Sequence, residues 1–506
     1  VDLVDKSWGD RPCVIEQGHR VSYASLDAQI EQVVARFKRC GLIAGDRIGI
    51  YARRSADVVA LCVAAYRAGL TYVPADPNAP SSRNAAIHAA CGVRVAFVEE
   101  RFATAYEAHL SATGVTITCE RLPEVGGGTG LATLLSTPVR EAGPPGAPPP
   151  VPNLVHILYT SGSTGKPKGV MISRENLRVF IEWTRSLVAP TPDDRFGNHA
   201  QFHFGISTFD LFLSLSSGSS LVIVPDEIGR HARGLLDLLE RERVTVWYST
   251  PRILSLMAQT GEVSTRDLSA LRILAFAGEA FPIQHFNSLR AQLAHPRYFH
   301  MYGSTETNIM AYFEVPKDRH FDAALPIGRT AEYYESRVVD SNGRNVAMGD
   351  EGEFVVKGAG IMCGYWEQPD LTRERKLTDG ESEWYRTGDI VRRLEDGTHS
   401  YVGRADRMVK RGGYRVELGE VESALAAIPE VREAAVTVTR RDDEIILCAH
   451  LVMSGRPSVL YVKQSCAEKV PAYMVPDEVR FLTELPRTST NKIDYQVLMR
   501  SQVDAS

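Results

Sequence analysis

RIGIYARRSADVVALCVAAYRAGLTYVPAD, residues 47–76, reads as strand, helix, strand: two short apolar runs bound a longer apolar segment, with a glycine ahead of the second run. CGVRVAFVEE, from residue 91, adds a further strand after another helical segment. Such alternation places helices on the faces of a largely parallel sheet. Farther along, SLVIV at 220–224, VTVWYS at 244–249 and LRILAFAG at 271–278 repeat the pattern, and each ends near small or polar residues suited to a ligand crevice at strand ends. EAGPPGAPPPVPN, 141–153, reads as a surface connection. Near residue 400 the texture changes: the charged, glycine-bearing YVGRADRMVKRGGYRVELGEVE, 401–422, leads into a last stretch of short strands and helices. The expected fold is α/β, with a large N-terminal region of packed α/β subdomains, built on mixed and parallel sheets, over residues 1–405. A small mobile α+β domain follows at 407–506, with a hinge at Asp406. No fixed-period repeat or heptad run is present.

Composition narrows the function classes. A chain of 506 residues exceeds the size at which one core stops growing, so more than one domain is expected. Lys and Arg number 57 against 62 Asp and Glu, a formal charge of −5, and the positive residues are interspersed, which argues against nucleic acid as the main ligand. Eight cysteines, at 13, 40, 62, 91, 119, 363, 448 and 466, form no CxxC pair and signal neither a zinc site nor a disulfide scaffold. With no long apolar span and no signal peptide, a soluble cytoplasmic protein without membrane contact is expected.

LYTSGSTGKPKGV, 158–170, carries the first chemical signal. A short buried strand, VHILY, runs into a turn rich in glycine and hydroxyls, where main-chain N–H groups and side-chain hydroxyls can wrap phosphoryl oxygens; Lys166 and Lys168 add positive charge. This is not the common nucleotide P-loop, which needs a glycine where Thr160 stands and a Ser or Thr where Pro167 stands. By composition alone, a flexible surface turn stays open.

The loop at 161–169, FHMYGSTETN at 299–308, YRTGD at 385–389, GRADRMVKRGGYRVELGEVE at 403–422 and NKID at 491–494 occur in the order and spacing of the acyl- and aminoacyl-adenylate-forming enzymes. The chain most resembles the adenylation domains of nonribosomal peptide synthetases and the D-alanine carrier-protein ligases, over essentially its whole length. The resemblance implies a ligase of natural product biosynthesis that uses ATP and Mg2+. A carboxylic acid attacks the α-phosphorus of ATP, giving an acyl-adenylate and pyrophosphate; a thiol then displaces AMP to give a thioester. Two anions meet in the first step, so the site must offset like-charge repulsion.

Carried over position by position, Thr160, Ser161, Gly162, Ser163, Thr164, Gly165 and Lys166 resemble the loop for the β- and γ-phosphates. Tyr302 resembles the aromatic residue beside adenine, Thr305 a hydroxyl on the α-phosphate, and Glu306 the magnesium ligand; one carboxylate plus substrate phosphates is the usual magnesium arrangement. Gly278 and Glu279 resemble the segment lining the adenine site, Asp389 the carboxylate that takes both ribose hydroxyls, and Arg404 an arginine that also reaches the ribose. Lys492 resembles the lysine that bridges the substrate carboxylate and the α-phosphate, acting electrostatically. Asp406 matches the hinge of the family's domain rotation, and Gly412 and Gly413 the loop that swings in for the thioester step.

The acid pocket departs from the pattern. Peptide-synthetase domains carry an aspartate in FDxS that pairs with the substrate's α-ammonium; here the stretch is FGIS, 204–207, with Gly205 at that position. Asp210 is no simple substitute, since five residues along a helix is about 140° around its axis, and the family often has an acidic residue there as well. A buried ammonium without a partner is costly. The acid is therefore expected to lack an α-amine, to carry its amine elsewhere, or to be held by carbonyls and another side chain. The other matching pocket positions, Ile206, Phe209, Tyr248, Ala275, Ala277, Met301, Ile309 and Met310, offer apolar walls, one phenol and no charge; each alone reads more readily as core packing, so the set counts for more than any member.

With no carrier domain after Asp494, a freestanding enzyme is expected to hand its acyl group to the phosphopantetheine arm of a separate carrier protein, which RGGYRVELGEVE favours over coenzyme A. Coenzyme A as acceptor, a conventional amino-acid-activating enzyme with unusual amine recognition, an ATPase releasing ADP, and a silent nucleotide- or carrier-binding scaffold are the alternatives.

Overall fold

Arg47–Tyr51, Ala56–Ala68 and Thr71–Pro74 form the expected strand, helix and strand in the computed structural model, the two strands pairing in parallel with Ile48 opposite Tyr72. The Ser55 side chain caps the helix by accepting from the Val58 N–H, and Gly69 closes it with its N–H on the Ala65 and Tyr66 carbonyls. Every residue from Ala56 to Ala65 is buried. That accounts for the unbroken apolar run, which a helix exposed on one face would not need. The structure describes residues 3–123, 130–143, 149, 151–160, 167–405, 407–441, 444–455, 458–487, 493–495 and 497–499; most of the proline-rich stretch at 141–153 lies outside them.

Two compact units are distinguished. The first comprises residues 1–77, 85–159 and 169–405; the second comprises 78–84, 160–168 and 406–506. A seven-stranded sheet runs in the order Gly364–Tyr365, Lys168–Ser173, Leu154–Thr160, Thr71–Pro74, Arg47–Tyr51, Val93–Glu99, Thr118–Leu122. A nine-stranded sheet has parallel strands Ser220–Ile223, Arg195–Asn198, Val246–Ser249, Ile273–Phe276 and Arg297–Ser304 at its centre, followed by an antiparallel return, Asn308–Glu314. Five antiparallel strands, among them Ser382–Arg393 and His399–Arg404, make a third sheet. Helices alternate with the parallel strands, so the mixed and parallel sheets of an α/β region are present.

The second unit contains a hairpin, Met408–Arg411 with Tyr414–Glu417, and a sheet of Val431–Arg441, Glu444–Met453 and Glu478–Leu482. Helices Leu418–Ala426 and Val459–Ala467 pack on that sheet through Val421, Leu425, Val462 and Cys466, the α+β arrangement expected of the C-terminal part.

All eight cysteines are free; seven are buried and Cys363 is half-buried. Burial pushes the Cys13, Cys91 and Cys466 thiols up to about 12. Among the described residues no helix is long and apolar enough to cross a membrane.

Candidate nucleotide and acid site

Strand register builds the first part of the site. Ser382–Arg393 and His399–Arg404 pair antiparallel with Asp389 directly opposite Arg404, and the Arg404 Nη1 donates to Asp389 Oδ1 at 2.6 Å and to the Thr387 carbonyl at 3.0 Å. The Tyr302 hydroxyl, from the neighbouring sheet, donates to Asp389 Oδ2. Burial, reinforced by the Asp389 charge, holds the Tyr302 phenol far above its ordinary pKa, so it remains a donor. A carboxylate has about four lone-pair sites. Among the described residues two donors hold the group, fewer than its lone-pair sites, an arrangement suited to a vicinal diol.

The hairpin of Arg297–Ser304 and Asn308–Glu314 presents Thr305 and Glu306 in its turn. A Cβ on Gly303 would lie 1.6 Å from the Asn308 carbonyl oxygen, so only glycine permits this closure. Glu306 is fully buried and accepts from the Tyr365 hydroxyl at 2.8 Å. Among the described residues no group of three His, Cys, Asp or Glu side chains is placed to hold a metal ion. A single hard carboxylate fits magnesium, which is ordinarily held by one or two carboxylates plus substrate phosphates. Gly278 and Glu279 follow the strand Ile273–Phe276, and the Glu279 carboxylate accepts from the Arg252 N–H at 3.0 Å.

The expected acid-pocket positions lie in the core. Phe209, Tyr248, Ala275, Ala277, Met301, Ile309 and Met310 are buried in one apolar cluster, with Ile206 packed against it. Parallel pairing sets Tyr248 beside Ala275, and the Phe209 ring meets Tyr248 edge-on at 5.1 Å. Gly205 stands at the start of the helix Ser207–Leu215; its φ is not positive, and a Cβ there would meet Thr305 Cα at 3.6 Å, ordinary van der Waals contact. Neither backbone nor space demands glycine at 205. Asp210, on that helix, is fully buried; Asn198 Nδ2 reaches one oxygen at 3.5 Å, and the other has no hydrogen-bond partner among the described residues. Burial drives its carboxyl well above the usual carboxylate range, which favours the neutral acid.

Ser161, Gly162, Ser163, Thr164, Gly165, Lys166, Asp406 and Lys492 lie outside the described residues. Thr160 ends the strand Leu154–Thr160, and its hydroxyl is buried with no hydrogen-bond partner among the described residues, a donor that a phosphoryl oxygen would satisfy. Beside Lys492, Ile493 bridges Arg487 and the Asp494 N–H donates to the Pro486 carbonyl at 2.8 Å. Gly412 and Gly413 form the two-residue turn of the hairpin, both with positive φ, 56° and 83°. Turn geometry by itself accounts for a glycine pair there. Sequence reasoning missed Tyr365 as the partner of Glu306; 59 positions separate them and no local pattern announces the contact.

The α/β region with its parallel sheets thus carries two buried carboxylates, Asp389 held by Tyr302 and Arg404, and Glu306 in a hairpin turn. The AMP-binding enzyme family model matches residues 3–366, and the AMP-binding enzyme C-terminal domain matches residues 420–492. The chain belongs to this adenylate-forming family and is an ATP-dependent, AMP-forming acid–thiol ligase. It is similar to the L-proline–[L-prolyl-carrier protein] ligase of Pseudomonas fluorescens, 36% identical over 96% of this chain and 95% of that protein. The enzyme of the same description from Streptomyces coelicolor is 37% identical over 94% and 91%. In fold the chain resembles the Vibrio cholerae adenylation domain AlmE, solved with glycyl-adenosine-5'-phosphate, with a TM-score of 0.82, 21% identity, and coverage of 99% of this chain and 97% of that one.

Proposed function

We propose that this enzyme adenylates a moderately apolar carboxylic acid that lacks a conventional α-amine or carries its amine elsewhere, and passes the acyl group to the phosphopantetheine thiol of a carrier protein. The observation that carries the reading is Gly205, where a Cβ would meet only ordinary van der Waals contact, beside a buried apolar cluster that includes Phe209 and Tyr248. Asp210, favoured in its neutral form, is not a ready counter-ion for an ammonium.

In the proposed first step Thr160 to Lys166 hold the β- and γ-phosphates, Thr305 donates to the α-phosphate, and Glu306 holds magnesium, which screens the phosphate charge. Asp389 and Arg404 take the ribose, while Tyr302, Gly278 and Glu279 line the adenine. Lys492 bridges the acid carboxylate and the α-phosphate, offsetting the repulsion between them. The acid oxygen bonds to the α-phosphorus as pyrophosphate leaves. Residues 407–506 then reorient about Asp406, Gly412 and Gly413 approach the thiol arm, and sulfur attacks the acyl carbon as AMP departs.

The prolyl ligases favour a second reading, in which the acid is L-proline or a close relative: apolar walls suit a small saturated ring, and this reading requires that a bound ammonium draw Asp210 into its ionised form against the effect of burial. Hydroxylamine trapping of the adenylate tests both, across L-proline, cyclopentanecarboxylate and a β-amino acid. Preference for the amine-free or β-amino acid supports the first reading; strong preference for L-proline overturns it. Transfer to a holo-carrier protein compared with coenzyme A then separates the two acceptor thiols.

A further inference from the structure

The segment Met362–Trp366 ties two parts of the phosphate site together. The Met362 N–H donates to the Glu306 carbonyl at 2.8 Å, and the Tyr365 hydroxyl to Glu306 Oε1 at 2.8 Å. On its other side the same segment pairs with the strand Lys168–Ser173, which leaves the phosphate loop: Tyr365 lies opposite Val170, the Cys363 N–H donates to the Met171 carbonyl at 2.9 Å, and the Trp366 N–H to the Gly169 carbonyl at 2.7 Å. Its ends are pinned as well. Asn176 Nδ2 donates to the Ala359 and Ile361 carbonyls, at 2.7 and 2.8 Å, and the Trp366 indole N–H to the Ala90 carbonyl at 2.9 Å. The Tyr365 N–H donates to Thr372 Oγ1 at 2.9 Å.

We infer that Tyr365 is a positioning residue for the metal: its phenol, held by the strand that follows the phosphate loop, fixes the distance and rotamer of Glu306 relative to the bound phosphates. The inference rests on the proposed role of Glu306 as magnesium ligand. Magnesium demands near-ideal octahedral geometry. A carboxylate free to turn loses affinity, and partners that orient a ligand are typically worth about 10–100-fold in metal binding. Tyr365 is buried, so its hydroxyl acts on the carboxylate with little competition from water.

The test is direct binding of Mn2+, a spectroscopic substitute for Mg2+, to the full chain in the presence of α,β-methylene-ATP, followed by electron paramagnetic resonance. Tyr365→Phe keeps the ring and removes one hydroxyl. It is expected to weaken Mn2+ binding about 10-fold, to leave the melting temperature of the nucleotide-free protein within a few degrees, and to have no further effect on a Glu306→Gln background. Tyr365→Leu, which also removes the hydroxyl and keeps a buried apolar side chain, is expected to weaken binding in the same direction and serves if Tyr365→Phe does not fold. If Glu306→Gln weakens Mn2+ binding while Tyr365→Phe does not, the positioning role is overturned and the ligand role of Glu306 stands. If Glu306→Gln has no effect, the ligand role itself fails and the inference with it. An equal loss from Tyr365→Phe with and without Glu306→Gln also overturns it, because the hydroxyl then acts through something other than Glu306.

Discussion

A methyl group placed on Gly205 would rest 3.6 Å from the Cα of Thr305, in ordinary contact. The position expected to match the family's amine-binding aspartate thus adjoins the turn that carries the proposed α-phosphate hydroxyl, and it accepts a Cβ without strain. Gly205→Asp is therefore expected to fold normally. A charged hydrogen bond is worth about 1.5–3 kcal/mol. The variant should raise adenylate formation with an α-amino acid relative to its amine-free analogue by about 10–100-fold, measured by hydroxylamine trapping with the matched pair. An unchanged ratio would remove Gly205 from the account of selectivity.

Asp389 joins Tyr302 and Arg404 through its two oxygens. Asp389→Ala removes the proposed ribose acceptor and an ion-pair partner of the largely buried Arg404 guanidinium. Losing two charge-assisted hydrogen bonds to the nucleotide, at about 1.5–3 kcal/mol each, is expected to raise the KM for ATP by about 10²-fold or more and to lower the melting temperature. An ATP titration in the pyrophosphate-exchange assay, at saturating acid, reads the first effect, with the KM for the acid as the control.

Asp210 makes stability depend on pH in an unusual direction. Its folded-state pKa lies above the unfolded value of about 3.9. Between the two, the unfolded chain has lost a proton that the folded chain keeps, so stability falls as pH rises, by about 1.4 kcal/mol per unit. Asp210→Asn removes this dependence. The variant should gain in urea midpoint at pH 7 relative to the parent, and the gain should shrink toward pH 4.

Lys492 is proposed to act only where the acid meets the α-phosphate. Lys492→Ala should lower adenylate formation by about 10²–10³-fold, the range for losing one preorganised donor at a developing charge. Thioester formation from a supplied acyl-adenylate should persist. Equal loss in both half-reactions, measured with the same carrier protein, would place the lysine in a general structural role.

Local pattern carried much of the architecture. The apolar runs of 47–76 specify strand, helix and strand because the helix satisfies its own backbone, the two strands pair with each other, and all three elements are largely buried. The family's motif stretches were legible through their order and spacing, and Asp389 and Arg404 meet because antiparallel register sets them opposite. What could not be read are contacts created only by the tertiary fold. The Tyr365 hydroxyl on Glu306 and the burial of Asp210 against Asn198 depend on separate elements converging, which leaves no periodic trace. Gly412 and Gly413 show the converse: a residue pair expected for its role beside the thiol arm also meets the backbone demand of a hairpin turn.

The cysteine distribution has a practical consequence. Seven thiols are enclosed by packing and the eighth, Cys363, is only half-accessible. The outer surface is close to silent toward maleimides. Cysteines introduced at exposed positions on either side of residue 406 would carry a donor and an acceptor dye without dismantling the native thiols, opening the proposed reorientation of residues 407–506 to distance measurement on single molecules.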